Sequence, residues 1–366
     1  LTHWAMEHNY AVIMAGGVGS RFWPTSTSRT PKQFLDILGT GETLLQQTFR
    51  RMKSVVPADH IYVVTHVDYA DTCLVQLPEL DRQRILAEPA RRNTAPCVAY
   101  AAFVLKKRDP LANFVVTPAD HLVTNEAEFT ARLTSALATS GTHNVLMTLG
   151  MNPIRPETGY GYIQFRPEKS TYAPDVHPVK TFTEKPNREM AEQFIATGEF
   201  LWNAGIFVWN SNAILSAFEK HMPEMYAGFS AGWEHFGTAS EAEFIRSMYG
   251  ECPNESIDYG ILEKAKQVLV MPAEFGWSDL GSWGAVHEQR AADVNGNTGA
   301  GNHVLSYDAS GNTYHIPEDM VAVVDGLHDY IVILSENRLL VCPRSKEQEI
   351  KQFVHDVKMR RGEDFV

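Results

Sequence analysis

Four short apolar runs in the first third of the chain limit what it can fold into. They are YAVIM (Tyr10–Met14), HIYVVT (His60–Thr65), RILAEP (Arg84–Pro89) and NFVVTPAD (Asn113–Asp120). Each is rich in aliphatic residues, is bounded by polar, Gly or Pro residues, and lacks the in–out alternation of a half-exposed strand. Such runs suit parallel strands buried on both faces. Helical patterns lie between and after them. ETLLQQTFRRM (Glu42–Met52) is one. Asn93–Arg108 is a stronger one, with Asn93 or Thr94 as cap, Pro96 in the first turn and Lys106, Lys107 and Arg108 at the end that favours cations. Asn125–Gly141 opens on a capping residue and closes on glycine. Strand and helix thus alternate, which predicts a doubly wound, Rossmann-like α/β sheet.

The middle of the chain is more mixed. GYGYIQF (Gly159–Phe165), VKTFTEKP (Val179–Pro186) and FLWNAGIFVWN (Phe200–Asn210) read as strands, and NREMAEQFIATG (Asn187–Gly198) as a capped helix. After about Asn295, Gly, Asn and Asp cluster, and short β-type runs separated by turn signals follow. A last segment, KEQEIKQFVHDVKMRR, places Ile350, Phe353, Val354 and Val357 at helical spacing and reads as a packing helix. The change of texture predicts two domains, 1–290 and 291–366, the second small, β-rich and closed by a helix.

Composition narrows the function classes. The chain has 366 residues and a net charge of −12, which disfavours the basic face needed for nucleic acid. No apolar run approaches the length of a membrane span, and the N-terminal LTHWAMEHNY lacks the charge pattern of a signal peptide. The four cysteines, Cys73, Cys97, Cys252 and Cys342, are scattered, so a reducing cytoplasm is expected rather than a disulfide framework or zinc site.

The first strand runs into AVIMAGGVGSRFWP (Ala11–Pro24). A dinucleotide fingerprint counted from Gly17 requires Gly or Ala where Phe22 stands, and no G-x-x-x-x-G-K-S/T is present for a P-loop. A plain strand-ending turn is the remaining simple reading. Its neighbours argue for more. Arg21 follows the glycines directly, Lys32 lies between Pro31 and Gln33, and Pro24 and Pro31 prevent a long helix. Open backbone N–H groups with an Arg and a Lys make an anion cradle at the carboxyl end of a sheet, where such folds bind ligands.

MAGGVGSRFWPTSTSRTPKQF, followed in order by EPARRNTAP, PADH, RPETGYGYI, FTEKP, WNAGIF, SIDYGILEK and WSDLGSW, resembles the sugar-1-phosphate nucleotidyltransferases. The likeness runs from about Ala11 to Trp283. Phe22 replaces the commoner Leu of the family's signature loop. The match is strongest to the branch that joins GTP to mannose 1-phosphate, giving GDP-mannose and pyrophosphate with Mg²⁺. The resemblance implies that Ala15, Gly16, Gly17 and Gly19 lie against nucleotide, and that Arg21 and Lys32 face the triphosphate. It makes Asp120 and Asp279 the Mg²⁺ ligands, a task that suits one or two carboxylates and phosphate oxygens. A turn or helix cap is the simpler role for each Asp. His121 reads as structural, since neutral imidazole is a poor Mg²⁺ ligand.

Glu88 is the implied reader of guanine, because one carboxylate accepts both the N1–H and the N2 amino group, which adenine cannot offer together. Asn93 and Thr94 would add contacts to the nucleotide. Gly159, Glu184, Lys185 and Asn203 would meet the sugar phosphate. Asp258 has no assigned role, and Trp202, Phe207 and Trp209 read as core. The catalytic set implied is Arg21, Lys32, Asp120, Lys185 and Asp279. For relatives of this length the resemblance further implies a short left-handed β-helix at the C-terminus and a homodimer. It implies no phosphomannose isomerase activity, since the chain ends before the isomerase domain of some longer relatives. Two alternatives stand beside this reading: the same chemistry on another base or sugar, and a non-catalytic regulatory homologue that only binds sugar nucleotide.

Overall fold

A computed structural model describes residues 7–168 and 170–366. The first six residues, on which the reading of the N-terminus partly rests, lie outside the described residues. By contacts the chain forms two units, neither a single stretch of sequence. The first holds the chain up to Gly16, Thr48–Ala119 and Val123–Trp277. The second holds Gly17–Gln47, Asp120–Leu122 and Ser278–Val366. The change of texture near Asn295 therefore falls inside the second unit.

The first unit is built on a nine-stranded mixed sheet. Its strands are β1 (Asn9–Ala15), β2 (Ile61–His66), β3 (Ile85–Glu88), β4 (Asn113–Pro118), β5 (Leu146–Met151), β6 (Gly161–Phe165), β7 (His177–Glu184), β8 (Phe200–Asn210) and β9 (Val268–Ala273). Their order is β3-β2-β1-β4-β8-β5-β9-β7-β6. The four strands expected from the apolar runs pair in parallel, as do β5 and β9. β8 enters antiparallel beside β4 and makes the sheet mixed. The helix Thr94–Arg108 is capped by Asn93, whose Oδ1 accepts from the Thr94 N–H, whereas Asn125 and Asn187 cap Glu126–Thr142 and Arg188–Thr197 by accepting from the N–H groups of Glu128 and Met190, three residues on. Three further helices, Ser211–His221, Pro223–Ala231 and Glu241–Glu251, pack with Thr94–Arg108 over one face of the sheet around Phe103, Trp209, Phe218 and Phe229.

The second unit contains the glycine loop and the β-rich C-terminal part, with β10 (Val304–Tyr307), β11 (Thr313–His315), β12 (Ala322–Asp325), β13 (Tyr330–Ser335) and β14 (Arg338–Pro343). Its parallel pairings fall at two offsets: Thr298 pairs with Thr313, fifteen residues on, and the later pairs lie eighteen apart. Val304 pairs with Ala322, Ser310 with His328 and Thr313 with Ile331, each eighteen residues on. Three of these pairings thus repeat at one step; register alone establishes neither a β-helix nor its handedness. β14 folds back antiparallel on β13. The core of this unit joins Phe22, Trp23, Ile37 and Leu44 to Ile331, Ile333, Leu340 and Ile350. The terminal helix Ile350–Arg361 adds Phe353, Val354 and Val357 to that core, the face expected from its spacing.

Candidate active site

In the second unit the glycine loop turns back on itself through Gly19, whose φ of 66° lies in the left-handed region. A Cβ there would stand 2.5 Å from Lys32 Cβ, so only glycine admits Lys32 this close. Two side chains draw the loop's carbonyls toward themselves: Gln33 Nε2 donates to Gly17 O (3.0 Å) and Ser26 Oγ to Val18 O (2.7 Å). Phe22 is buried against Trp283 and Lys32 Nζ lies 5.3 Å from the centre of its ring. A large residue at this position thus packs the loop and supports the lysine.

Lys32 is only 4 % exposed. Its ammonium donates to Asp279 O (2.7 Å) and pairs with Asp120 Oδ2 (3.2 Å). Burial would push the Asp120 carboxyl up, but Lys32 and His121 beside it outweigh burial and hold it below the ordinary carboxylate value. Asp279 Oδ1 accepts from the Gly281 N–H (2.9 Å). The capping role open to Asp279 falls instead to Ser282, whose Oγ accepts from Ala285 N. Arg21, Lys32, Asp120 and Asp279 line one cavity of about 280 Å³. Arg21 Nε is buried and has no hydrogen-bond partner among the described residues, an unmet donor that an anion would satisfy.

The remaining residues singled out in the sequence lie in the first unit. Glu88 closes β3 and is 7 % exposed. Tyr249 OH donates to its Oε1 (2.9 Å), and a Cβ on Gly16 would stand 3.6 Å from its Oε2. Burial pushes its carboxyl up to about 7, against the opposing effect of the Tyr249 hydrogen bond. Asn93 and Thr94 are engaged locally: Asn93 caps its helix and Thr94 Oγ1 accepts from Ile257 N (2.8 Å).

On the other side of the sheet order, Glu184 closes β7, and Lys185 Nζ donates to Glu184 Oε2 (3.0 Å) with Lys185 in the left-handed region (φ 46°). Left-handed backbone at the strand end lets two successive residues serve one place. Asn203 lies where the register between β8 and β5 slips, with Gly205 at a φ of 67°. That irregularity aims its amide at Asp258 Oδ1 (2.8 Å). Burial, with Glu184 nearby, pushes the Asp258 carboxyl up to about 6. Trp202, Phe207 and Trp209 are buried, as expected of core residues.

The profile of the nucleotidyl transferase family matches residues 10–296. The chain belongs to the nucleotidyl transferase family. This nucleotidyltransferase is 34 % identical to a protein of Escherichia coli K12 named mannose-1-phosphate guanylyltransferase, over 97 % of this chain and 74 % of that one. It is 35 % identical to the alginate biosynthesis protein AlgA of Pseudomonas aeruginosa, over 94 % of this chain and 71 % of that one. Its fold is similar to a crystal structure from Thermus thermophilus titled mannose-1-phosphate geranyltransferase (TM-score 0.84, 29 % identity, 96 % of this chain and 99 % of that one). No helix among the described residues is long and apolar enough to cross a membrane.

Three features of this nucleotidyltransferase were not read from its sequence. Gly161, rather than Gly159, is the glycine against which Glu184 lies: a Cβ at 161 would fall 2.1 Å from Glu184 Oε1, whereas at 159 the nearest atom is Glu157 Oε1 at 3.4 Å. Gln33 stands inside the quoted motif, but its hold on the glycine loop depends on a turn that the letters do not show. Tyr249 reaches Glu88 from 161 residues away, and nothing in its local sequence marks it.

The donor set in the cavity fits a hard divalent cation. Two carboxylates line it, and among the described residues no group of three or more His, Cys, Asp and Glu could enclose a metal by themselves. Mg²⁺ is held in this way, by one or two carboxylates with phosphate and water completing its shell.

Proposed function

We propose that this enzyme transfers GMP from GTP to mannose 1-phosphate, releasing pyrophosphate, and is thus a mannose-1-phosphate guanylyltransferase (GDP-mannose pyrophosphorylase). The observation that carries the reading is the cavity in which Arg21, with its unmet Nε donor, and Lys32 stand with two carboxylates behind a glycine loop. The names of the relatives favour guanine and mannose, and a buried carboxylate at Glu88 favours guanine. A phosphate oxygen of mannose 1-phosphate forms a bond to the α-phosphorus of GTP in line with the bond that breaks, and the electron pair leaves on pyrophosphate. That nucleophile is already ionised at neutral pH, so positioning and charge neutralisation carry the catalysis.

Arg21 and Lys32 take the charge of the triphosphate and leaving group, while Gly16, Gly17 and Gly19, after Ala15, let phosphate approach the backbone. Asp120 and Asp279 would hold Mg²⁺, which neutralises phosphate charge when bound. Glu88 accepts from guanine N1–H and N2–H; Asn93 and Thr94 fix the backbone beside it. Lys185 takes the sugar phosphate, and Glu184 and Asn203 hold sugar hydroxyls, with Asp258 orienting the Asn203 amide. Gly159 belongs to the loop before β6 on this side.

Pyrophosphate release is measured over a grid of nucleoside triphosphates and sugar 1-phosphates, with and without MgCl₂. GTP with mannose 1-phosphate is expected to exceed every other pair, and to need the metal. Equal turnover with another pair would remove the specificity, and binding without turnover would make the chain a regulatory homologue. Asp120→Ala is expected to lower kcat by at least about 10²-fold, the scale at which loss of one electrostatic group is felt.

A further inference from the structure

We infer that Lys351, on the C-terminal helix, is a third cation of the anion cavity and binds the terminal phosphates of the nucleotide and the pyrophosphate derived from them. The inference rests on the triphosphate reading of that cavity. Lys351 lines the same space as Arg21, Lys32, Asp120 and Asp279. Its place there is fixed by packing. Ile350 is fully buried, and Phe353, Val354 and Val357 pack on the cluster that contains Phe22 and Trp23. A helix locked by 350, 353, 354 and 357 carries residue 351 to the edge of that face. The same loop is fastened to the residues after the helix: Trp23 Nε1 donates to Phe365 O (2.7 Å), Ser28 Oγ donates to Val366 O (2.9 Å), and Arg29 pairs with Asp364 (2.7 Å). Helix and glycine loop therefore hold a common geometry within this unit.

The charge balance shows why a third cation matters. Arg21 and Lys32 are matched by the Asp120 and Asp279 carboxylates in the cavity lining, and Lys32 is already paired with Asp120. Without Lys351, and with His121 neutral, the charges there sum to none, and a divalent cation only partly matches a triphosphate. Lys351 makes the lining net positive. A flexible ammonium on an exposed stem suits a phosphate that must be gripped in the substrate and released with the product.

The test compares wild type, Lys351→Gln, Lys351→Arg and, as a control on an exposed residue of the same helix outside the cavity lining, Arg360→Gln. Binding of inorganic pyrophosphate with MgCl₂ is measured by calorimetry, and KM for GTP and for mannose 1-phosphate by turnover. Lys351→Gln is expected to weaken pyrophosphate binding and raise the GTP KM by about fivefold, the scale of one charge-assisted contact. The mannose 1-phosphate KM should not move, Lys351→Arg should recover most of the loss, and Arg360→Gln should match wild type. Pyrophosphate affinity unchanged in Lys351→Gln would overturn the inference, as would equal loss in Arg360→Gln. Pyrophosphate binding decides the role of Lys351 by itself; failure of wild type to turn over GTP with mannose 1-phosphate would instead overturn the proposed reaction.

Discussion

Glu88 is a carboxyl whose chemistry depends on where it is buried. The groups that feel its charge are Tyr249, which donates to it, and Cys97, Tyr100 and Cys252. The folded protein keeps its proton up to about pH 7, while an unperturbed Glu releases it near 4.5. Folded-state pKa is raised, so this group's contribution to stability is complete below 4.5 and is lost as pH rises toward 7. Guanine binding runs the opposite way, because only the ionised carboxylate accepts from N1–H and N2–H. Affinity for GTP is expected to rise by up to about tenfold from pH 6 to 8, following the ionised fraction. Calorimetric titrations of wild type and Glu88→Gln across that range check it, and a slope that persists in Glu88→Gln would assign the dependence elsewhere. Two glycines in the loop make a second contrast. Gly19→Ala is expected to cost at least about 1–2 kcal/mol from its left-handed backbone alone, with further loss from the contact with Lys32. Gly17→Ala, where a Cβ meets nothing within 4 Å, should stay within about 0.5 kcal/mol of wild type. Thermal melts of both, with turnover measured beside them, test the difference.

Among elements, the glycine loop owes its form to groups that are remote in sequence. Trp23→Phe keeps the aromatic packing but removes the donor to Phe365 O. It is expected to cost about 1 kcal/mol in stability and to raise the GTP KM with little effect on that for mannose 1-phosphate; steady-state kinetics with each substrate varied in turn checks this. Legibility of the elements follows the same division. β1 to β4 could be read because strands buried on both faces are near-continuous apolar runs, and Asn93, Asn125 and Asn187 could be read because a cap is a local event. β5 and β9 were not read. β9 carries Pro272, and both strands owe their place to partners more than fifty residues distant. The helices Ser211–His221, Pro223–Ala231 and Glu241–Glu251 went unread too, since much of their apolar surface is matched by other helices. In the site, motif residues such as Lys32, Asp120 and Asp279 were legible as letters. That Lys32 Nζ donates to the backbone of Asp279, 247 residues on, exists only in three dimensions. The terminal helix was legible as a packing element, but which residue it carries to the cavity was not.

For the whole molecule, the division by contact makes a claim about independence. Texture places a boundary near 290, yet the core around Ile331, Ile333, Leu340 and Ile350 is completed by Phe22, Trp23, Ile37 and Leu44. A fragment of residues 291–366 made alone keeps the small cluster of Val304, Tyr314, Val324 and Val332 but loses the packing that covers Ile331, Ile333, Leu340 and Ile350, and is expected to be too unstable to fold. Its circular dichroism and amide NMR dispersion are expected to be those of an unfolded chain, and sharp, dispersed signals would show that the segment is self-sufficient. The constant eighteen-residue pairing of β10 with β12 and of β11 with β13 has a different consequence. A strand in an ordinary sheet tolerates growth in the loop beside it, but here a shared step ties each strand to the one eighteen residues on. Adding two or three residues within a flat side would throw every later rung out of alignment with the one beneath. A complete extra step would keep the alignment. Length between these later rungs is thus constrained, while the pairing of Thr298 with Thr313, fifteen residues on, makes the step before them shorter; relatives that differ among the later rungs should differ by whole steps or by bulges at the corners.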